Sequence, residues 1–277
     1  MSLVAEYAVQ MKCHSCVEKI KASLKDVEGI TGVEVSYDKG TVLVESSLPS
    51  SVIQQILESN GNTAVLKGYG GKLVKSRDRG DNVTTAAVAM LGYPIGYSKN
   101  LIKGVVRFVQ ADDDVCVIDG TIDGLTTGYH GLHIHECGDI SQGCDSVGDH
   151  FDLSGGCHGG PQDEPGKRHT GDLGNIEADE TGRAVFRLED GQVKVWDIIG
   201  RSIVVTSNED DYGRGFSKLS SINGSSGERL ACGIISRSAG LFENAKQICA
   251  CDGVTIWDER NRPLAGPGRR QPPQSSL

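Results

Sequence analysis

The first part of the chain, residues 1–70, alternates between two hydrophobic patterns. Apolar positions with a period of two, as at Val33 and Val35, predict strands, and apolar positions at helical spacing, as at Ile20 and Leu24, predict helices. A second helix is expected around Ile53, with Ser50 or Ser51 as its N-cap. The expected order is strand, helix, strand, strand, helix, strand. This βαββαβ order predicts a ferredoxin-like α+β domain over residues 1–70.

The pattern changes between residues 86 and 238. Short β runs separated by Gly- and Asp-rich turns predict an all-β sandwich or barrel, and no helix is expected there. The segment 137–172 has almost no periodicity, and a loop of that length needs something other than a core to order it. The predicted β runs are 104–110, 115–122, 131–136, 184–188, 203–206 and 230–236.

Two further segments complete the predicted organisation. Residues 71–85 are expected to be a linker, and residues 239–277 form an irregular tail that is too short to bury a core of its own.

The net charge of −9 argues against nucleic-acid binding. No segment has the apolar length of a membrane span and no secretory signal is recognised, so a cytoplasmic location is expected. Nine Cys residues in such a chain favour metal or redox chemistry over a disulfide framework.

The first candidate site is Met11-Lys-Cys13-His-Ser-Cys16, between the first predicted strand and helix. Two thiols three residues apart can converge on one ion, and two soft sulfurs suit Cu(I) better than Zn(II), which prefers four ligands. A redox pair or half of a zinc site are the alternatives. The segment resembles the MxCxxC signature of the heavy-metal-associated domain of copper chaperones, which implies that Cys13 and Cys16 bind copper. His14 is interpreted as a solvent-facing residue.

The second candidate site begins at His133 and His135, which share one face of a predicted strand. His150, His158, His169 and Asp172 follow in the segment without periodicity. Such a concentration of imidazoles in a segment that lacks a core indicates a metal site. Three His residues and a carboxylate form a ligand set that zinc accepts.

Several blocks of this region resemble copper/zinc superoxide dismutases over most of residues 86–238. The resemblance implies a Greek-key fold, zinc bound by His150, His158, His169 and Asp172, and copper ligands at His133, His135 and His150. The family's fourth copper-binding His corresponds to Thr206, and a hydroxyl is a poor copper ligand, so no dismutase activity is expected. The blocks are GLHIHECGD at 131–139, GDHFD at 148–152, HGGPQDE at 158–164, HTGDLGN at 169–175 and GERLACG at 227–233.

The same resemblance implies roles for four more residues. Cys144 and Cys232 correspond to the family's intrasubunit disulfide, although the sequence itself leaves their oxidation state open. Asp210 corresponds to the carboxylate that links the two metal sites, and Arg229 to the active-site arginine. Among the other cysteines, Cys116 is expected to be a buried apolar residue, and Cys137 and Cys157 are not assigned as ligands.

The third candidate site is Cys249-Ala-Cys251 in the tail. Two thiols at this spacing can bind Cu(I) or exchange with a disulfide of another protein. An MxCxxC domain, a dismutase-like domain and a CxC tail together resemble the copper chaperones for superoxide dismutase. This resemblance implies Cu(I) and Zn(II) as cofactors, and copper delivery to copper/zinc superoxide dismutase through a heterodimer of dismutase-like domains.

The resemblance also leaves alternatives open. A homodimer and a pool in the mitochondrial intermembrane space are compatible with the family. An active dismutase with metal-loading appendages is one rival interpretation, and Thr206 argues against it. A general copper carrier for a membrane ATPase is the other, and the attached dismutase-like domain argues against that one.

Overall fold

The computed structural model describes residues 1–71, 85–244 and Trp257. The chain divides into two compact units. One comprises Ser2–Tyr69 with the described residues from Ala239 onward, and the other comprises Met1 with the described residues of Gly70–Ser238. Most of the predicted linker and most of the predicted tail lie outside the described residues. Within the described ranges, no helix combines the length and the apolar character needed to cross a membrane.

The first unit contains the expected ferredoxin-like order. Its sheet runs β2-β3-β1-β4, and β3 pairs antiparallel with both β1 and β2. Ile20 and Leu24 of the first helix and Ile53 and Leu57 of the second are buried. The elements are β1 (Leu3–Val9), α1 (His14–Leu24), β2 (Ile30–Ser36), β3 (Thr41–Ser46), α2 (Ser50–Ser59) and β4 (Ala64–Gly70).

The helix ends differ from the sequence-based expectation. The N-cap of α2 is Pro49 and makes no side-chain capping bond, so the prediction of Ser50 or Ser51 as the cap was wrong. Proline takes this position because its ring presets φ, which is −56° here. Helix α1 ends at Leu24, because the C-cap Lys25 is extended. Val27, which continues the helical spacing of Ile20 and Leu24 in the sequence, therefore lies beyond the helix.

The second unit is a sandwich of two separate five-stranded sheets, and they do not close into a barrel. One sheet has the order β11-β9-β13-β14-β6, and the other has the order β12-β8-β7-β5-β15. Its strands are β5 (Ala86–Leu91), β6 (Tyr97–Ser98), β7 (Lys103–Gln110), β8 (Cys116–Asp123), β9 (Gly128–His135), β10 (Ser141–Cys144), β11 (Asp172–Ala178), β12 (Arg183–Asp190), β13 (Ser202–Thr206), β14 (Arg229–Ile234) and β15 (Ser236–Arg237).

Two short helices correct the expectation that this region has none. They are α3 (Val195–Ile198) and α4 (Ser220–Asn223), of four residues each. A single turn is too short to produce a periodic hydrophobic pattern, which explains why the sequence did not predict them. The segment without periodicity also contains a strand, β10.

Side-chain alternation separates the core of the sandwich from the face that carries the histidines. Leu132 and Ile134 of β9 lie in the core, and Ile203 of β13 lies there with them. Since successive residues of a strand point to opposite faces, His133 and His135 lie on the other face of the same sheet. Strand β9 is central in that sheet, between β11 and β13, so both histidines lie on a well-supported strand.

Candidate metal centres

Four side chains converge where the segment 137–172, which we call the metal loop, meets β11. Ligand atoms of His150, His158, His169 and Asp172 all lie within 4.8 Å of one another. Asp172 Oδ1 is 2.7 Å from His150 Nδ1 and 3.1 Å from His158 Nδ1, and Asp172 Oδ2 is 3.3 Å from His169 Nδ1. One carboxylate thus faces three imidazoles through the same type of nitrogen. Three His and one Asp are a donor set that fits tetrahedral zinc.

Backbone groups hold the carboxylate of Asp172 in place. The amides of Gly159 and His169 both donate to Asp172 Oδ2, at 3.0 and 2.8 Å. A hydrogen-bond donor that accompanies each ligand fixes its orientation before any ion arrives. The loop therefore forms a preorganised site.

Asp210 connects this cluster with His133 of β9. Its Oδ1 is 2.8 Å from His158 Nε2, and its Oδ2 is 2.8 Å from His133 Nε2. A carboxylate that accepts from the Nε2–H groups of two histidines leaves their Nδ1 atoms available as ligands. The Nδ1 atom of His133 is buried and makes no hydrogen bond, and that of His158 is buried and faces Asp172 Oδ1.

Asn175 in turn positions Asp210, a role that sequence reasoning did not assign. Its side-chain amide donates to the carbonyl of Asp210, at 2.9 Å, and its carbonyl accepts from the amide of Asp210, at 2.7 Å. Asn175 belongs to one of the family-like blocks, so the block pointed to it without indicating its contact.

The buried histidines differ in their affinity for protons. Burial and the neighbouring His133 together lower the pKa of His150 to about 3. Burial also lowers the pKa of His135 well below its ordinary value. For His158, burial acts in the same direction, but hydrogen bonds to Asp172 and Asp210 outweigh it and raise the pKa to about 9. The carboxylates themselves are held ionised by their imidazole partners, with the pKa of Asp172 strongly lowered and that of Asp210 lowered to about 2.

A second set of donors lies beside the first, on the face of β9. His135 Nδ1 donates to the carbonyl of Gly148, at 3.0 Å, so its Nε2 remains as a buried nitrogen without a hydrogen bond. The rings of His133 and His150 are stacked, with centroids 4.1 Å apart. His133, His135 and His150 therefore form a three-imidazole group that shares His150 with the first cluster.

Thr206 occupies the position where this group lacks a fourth imidazole. In the register of β13 with β9, Val204 lies opposite His133, and Thr206 shares the face of Val204. Its hydroxyl donates to the carbonyl of Gly131, at 3.1 Å, and the whole residue is only 3 % exposed. The side chain is short, buried and already hydrogen-bonded, so it offers no nitrogen to a metal ion.

Arg229 and a disulfide bind the metal loop to the last long strand. Cys144 and Cys232 are joined in a disulfide between residues 88 positions apart. Arg229 donates to the carbonyls of Cys144 and Gly148, at 2.9 and 2.8 Å. The Gly148 carbonyl therefore receives both Arg229 and His135, which links the arginine to the orientation of a candidate ligand.

Two buried residues near the site were missed from the sequence. Arg168 donates to Asp190, at 2.6 Å, and to the carbonyl of Asp172, at 2.7 Å, so it joins the end of the loop to strand β12. His130 lies on the core side of β9, with its Nδ1 2.8 Å from the carbonyl of Thr206. Its odd spacing from His133 was the available signal, because odd spacing on a strand places two residues on opposite faces.

The N-terminal thiol pair lies at the start of α1. Cys13 is the extended N-cap residue and is exposed, and its Sγ lies 3.9 Å from that of Cys16. Hydrogen bonds from Ser15 and Cys16 lower the pKa of the Cys13 thiol. A lowered thiol pKa at a helix N-terminus favours the thiolate that binds soft metals. His14 is exposed and packs against Tyr37, with ring centroids 4.3 Å apart.

The remaining thiols fall into three groups. Cys116 is fully buried in the sandwich core, as expected, and burial raises the pKa of its thiol. Cys137 and Cys157 are exposed and form no disulfide. Neither belongs to a metal-ligand cluster within the described ranges. Cys249 and Cys251 lie outside the described residues.

Comparison with known proteins defines the class of this chain. Residues 6–62 match the model of the heavy-metal-associated domain, and residues 102–235 match that of copper/zinc superoxide dismutase (SODC). The crystal structure of the clock protein EA4 aligns with 58% of this chain and 99% of its own, with 37% identity and a TM-score of 0.52. The two domains thus belong to two classes of metal-binding domain.

Two relatives resemble nearly the whole chain. A Sus scrofa protein named copper chaperone for superoxide dismutase is 56% identical over 97% of this chain and 93% of its own length. The Homo sapiens protein of the same name is 54% identical over the same shares. The chain belongs to the family of copper chaperones for superoxide dismutase.

Proposed function

We propose that this protein is a copper chaperone that binds Cu(I), docks on copper/zinc superoxide dismutase and delivers copper to it while promoting its intrasubunit disulfide. The observation that carries the proposal is the contrast inside the dismutase-like domain. A complete donor set for one ion lies beside a three-imidazole set whose fourth position is Thr206. Such a domain keeps the shape of a dismutase without a complete site for the catalytic metal. The curated relatives are named chaperones, which agrees with a non-enzymatic role.

We assign Zn(II) to His150, His158, His169 and Asp172. The convergence of the four ligands, with the Nδ1 atoms of three buried or half-buried imidazoles facing one carboxylate, supports a resident ion. Zinc bound there supplies a structural cross-link between the metal loop and β11. The protein contributes the orientation, through Asp210 at Nε2 of His158 and through backbone amides at Asp172. Loop order then depends on the occupied site rather than on a hydrophobic core.

Copper is the cargo and enters at Cys13 and Cys16. Both sulfurs lie near the surface at one helix end, close enough to bind a single Cu(I). An exposed two-thiolate site would leave its ion accessible to a second pair of soft thiolates, which has the same preference for Cu(I). The second pair is Cys249 and Cys251, which hands the ion to the histidines of the target.

Promotion of the target disulfide proceeds through thiol–disulfide exchange. The electrons balance when the tail arrives as a Cys249–Cys251 disulfide, a copper-free state of the tail that is distinct from the dithiolate that carries Cu(I). One target thiolate attacks this disulfide and releases one tail thiolate, and a mixed disulfide forms. The second target thiolate then displaces the remaining tail sulfur. The target leaves with its disulfide, and the tail leaves as a dithiol with two more electrons and two protons.

The dismutase-like domain provides the docking surface. Dimers of identical subunits use self-complementary interfaces, so a domain of the same fold can replace one subunit of the target. We therefore propose a heterodimer with one dismutase subunit, with a homodimer of the chaperone as its competitor. The location that follows from this partner is the cytoplasm, with a pool in the mitochondrial intermembrane space.

The test adds two preparations of the full chain to copper-free, disulfide-reduced dismutase, one loaded with saturating Cu(I) and one with its tail oxidised. The Cys249→Ser/Cys251→Ser variant should fail to restore target activity and target disulfide. The matched control is Cys137→Ser/Cys157→Ser, which removes two exposed thiols outside both proposed sites and should activate like the wild type. Normal activation by the tail variant would refute the role assigned to the tail.

A further inference from the structure

The N-terminal sheet carries a buried ion pair on the face that its helices do not cover. The Tyr7 hydroxyl donates to the carbonyl of Ser50 in α2, at 2.7 Å, which places Tyr7 on the helix side. Its neighbour Glu6 therefore points to the opposite face. Glu6 is nevertheless only 4 % exposed, and Lys67 Nζ lies 3.2 Å from its Oε1. A carboxylate that is buried on an open sheet face requires a second layer of protein above it.

The covering layer is the segment Ala239–Glu243, which we call the docking segment. The amide of Phe242 donates to Glu6 Oε2, at 2.9 Å, so both oxygens of this carboxylate are engaged. The segment is closed on itself, because the amide of Gly240 donates to Glu243 Oε2 at 2.8 Å. Phe242 has a φ of 63°, and its side chain is 69% exposed. The anchor is thus the backbone of Phe242 and not its ring.

Gly68 of β4 makes room for the docking segment. A Cβ atom added at Gly68 would lie 2.3 Å from the carbonyl oxygen of Gly240. The two next nearest atoms also belong to Gly240 and Leu241, and none of the three belongs to the N-terminal fold itself. A side chain at this position would therefore collide with the docking segment while it leaves the sheet and helices undisturbed.

We propose that the sheet face around Glu6, Lys67 and Gly68 is an interaction surface for the docking segment of the same chain. The segment that binds this face, through one hydrogen bond and close backbone packing, is that of the same chain. Binding of the same segment from a second copy is the alternative that the experiment must exclude. The contact anchors the beginning of the tail to the N-terminal unit.

Under the proposed function, this anchor limits how far the tail thiols can move from the N-terminal thiols. Cys249 follows Phe242 by seven positions, and Cys13 follows Glu6 by seven positions. At 3.3–3.6 Å per residue, each pair of sulfurs stays within about 25 Å of the same anchor point. A tether of this length keeps the effective concentration of one thiol pair high at the other. The docking segment thereby favours transfer of Cu(I) within one chain.

Hydrogen–deuterium exchange of the full chain, followed at the Phe242 amide, tests the docking. The wild-type amide should be protected, and Gly68→Ala should speed its exchange by at least about tenfold by opening the contact. Gly32→Ala is the matched control in the same sheet, because its Cβ would meet only the side chain of Glu45, at 3.4 Å. Wild-type exchange at the rate of an unstructured peptide, or no response to Gly68→Ala, would overturn the proposal.

A second pair of variants acts from the segment side and does not depend on the fold of the sheet. Phe242→Pro removes the donor and excludes the positive φ, whereas Phe242→Gly keeps the donor and accepts that φ. Proline should abolish protection of the neighbouring Glu243 amide, and glycine should retain it. Protection that increases with protein concentration would assign the contact to a second copy and overturn the intramolecular form.

The tethering role has its own readout. In the copper-free reduced protein, a short bifunctional maleimide should join the pair Cys13/Cys16 to the pair Cys249/Cys251 in the wild type and several-fold less in Gly68→Ala. Equal cross-linking in both proteins would overturn the tethering role. Neither result bears on target activation at saturating copper, so failure of this inference is distinguishable from failure of the proposed function.

Discussion

Cys13 and Cys16 lie at an exposed helix end, whereas His133, His150 and His158 are buried in the sandwich and bonded to carboxylates or stacked on one another. The first site depends on few contacts and can release an ion to any competing thiolate that approaches. The second is held by Asp172, Asp210 and the backbone of the metal loop, so an ion bound there is part of the fold. We propose that this protein combines a site that transfers metal with a site that retains it.

The largest expected loss of stability and metal binding comes from a substitution at Asp172. Asp172→Ala should abolish zinc binding by the sandwich and lower its free energy of unfolding by about 3–5 kcal/mol, because buried imidazoles and amides lose their common partner. Metal analysis and denaturant unfolding of the purified chain measure both effects. Glu180→Ala, an exposed acid of a nearby turn, is the control. A zinc-free wild type would show that the retaining site was assigned wrongly.

The pH dependence of the metal-free chain provides the next largest effect. The pKa of His158 in the folded chain, about 9, lies above the ordinary histidine value of 6.5. The protonated His158 therefore stabilises the folded chain fully below pH 6.5, and this stabilisation is lost as the pH rises to about 9. This loss should be about 3 kcal/mol. Below pH 6.5 the sign reverses, because the unfolded chain protonates His150 while the folded chain resists down to about pH 3. Stability should therefore peak near pH 6.5.

Unfolding free energies measured from pH 5 to pH 9 after chelation check this profile. His158→Gln should remove most of the decrease above pH 6.5, with the remainder due to His169, whose pKa the hydrogen bond to Asp172 also raises. His14→Gln, at an exposed ring, should leave the decrease intact. A flat profile between pH 6.5 and 9 in the wild type would contradict the charge state assigned to His158.

A smaller effect is expected at Thr206. Thr206→His adds an imidazole on the face of His133 and His135, and superoxide dismutation by the copper-loaded chain should rise at least about tenfold, or about 1.4 kcal/mol of activation free energy. Thr206→Val, which keeps the shape without a ligand, should stay at the wild-type level. Wild-type turnover comparable with that of a true dismutase would sink the non-enzymatic interpretation.

The smallest change in stability is expected at the exposed pair. Cys13→Ser/Cys16→Ser should abolish Cu(I) binding by the N-terminal unit, yet alter the free energy of unfolding by less than about 0.5 kcal/mol, because these side chains fill no core. Cu(I) titration with a competing chelator and thermal unfolding measure the two quantities. A large loss of stability would mean that the thiols have a structural role, which would remove the contrast between the two regions.

Much of this molecule was predictable because local spacing determines which residues share a face. The period-two pattern placed His133 and His135 together on one strand, and the helical pattern after Cys13 placed the thiol pair at a helix end. Residues whose partners are distant in the sequence were not predicted. Arg168 is a lone arginine in a polar loop, and its sequence context contains nothing that predicts burial against Asp190. The one-turn helices α3 and α4 were missed because a single turn has no period.

The sequence by itself determined the donors and their local geometry: a thiol pair of soft character and a strand with two histidines on one face. That Thr206 stands where a fourth imidazole would be needed came from family resemblance. Family resemblance, and not spacing, pointed to the pairing of Cys144 with Cys232. The same resemblance pointed to Asp210, but only the tertiary structure decided that its partners are His133 and His158, and that the amide of Phe242 reaches Glu6 across 236 positions of sequence. The physical reason is that periodicity describes neighbours along one helix or strand. Contacts between distant segments depend on how complete layers pack, and no local pattern encodes that packing.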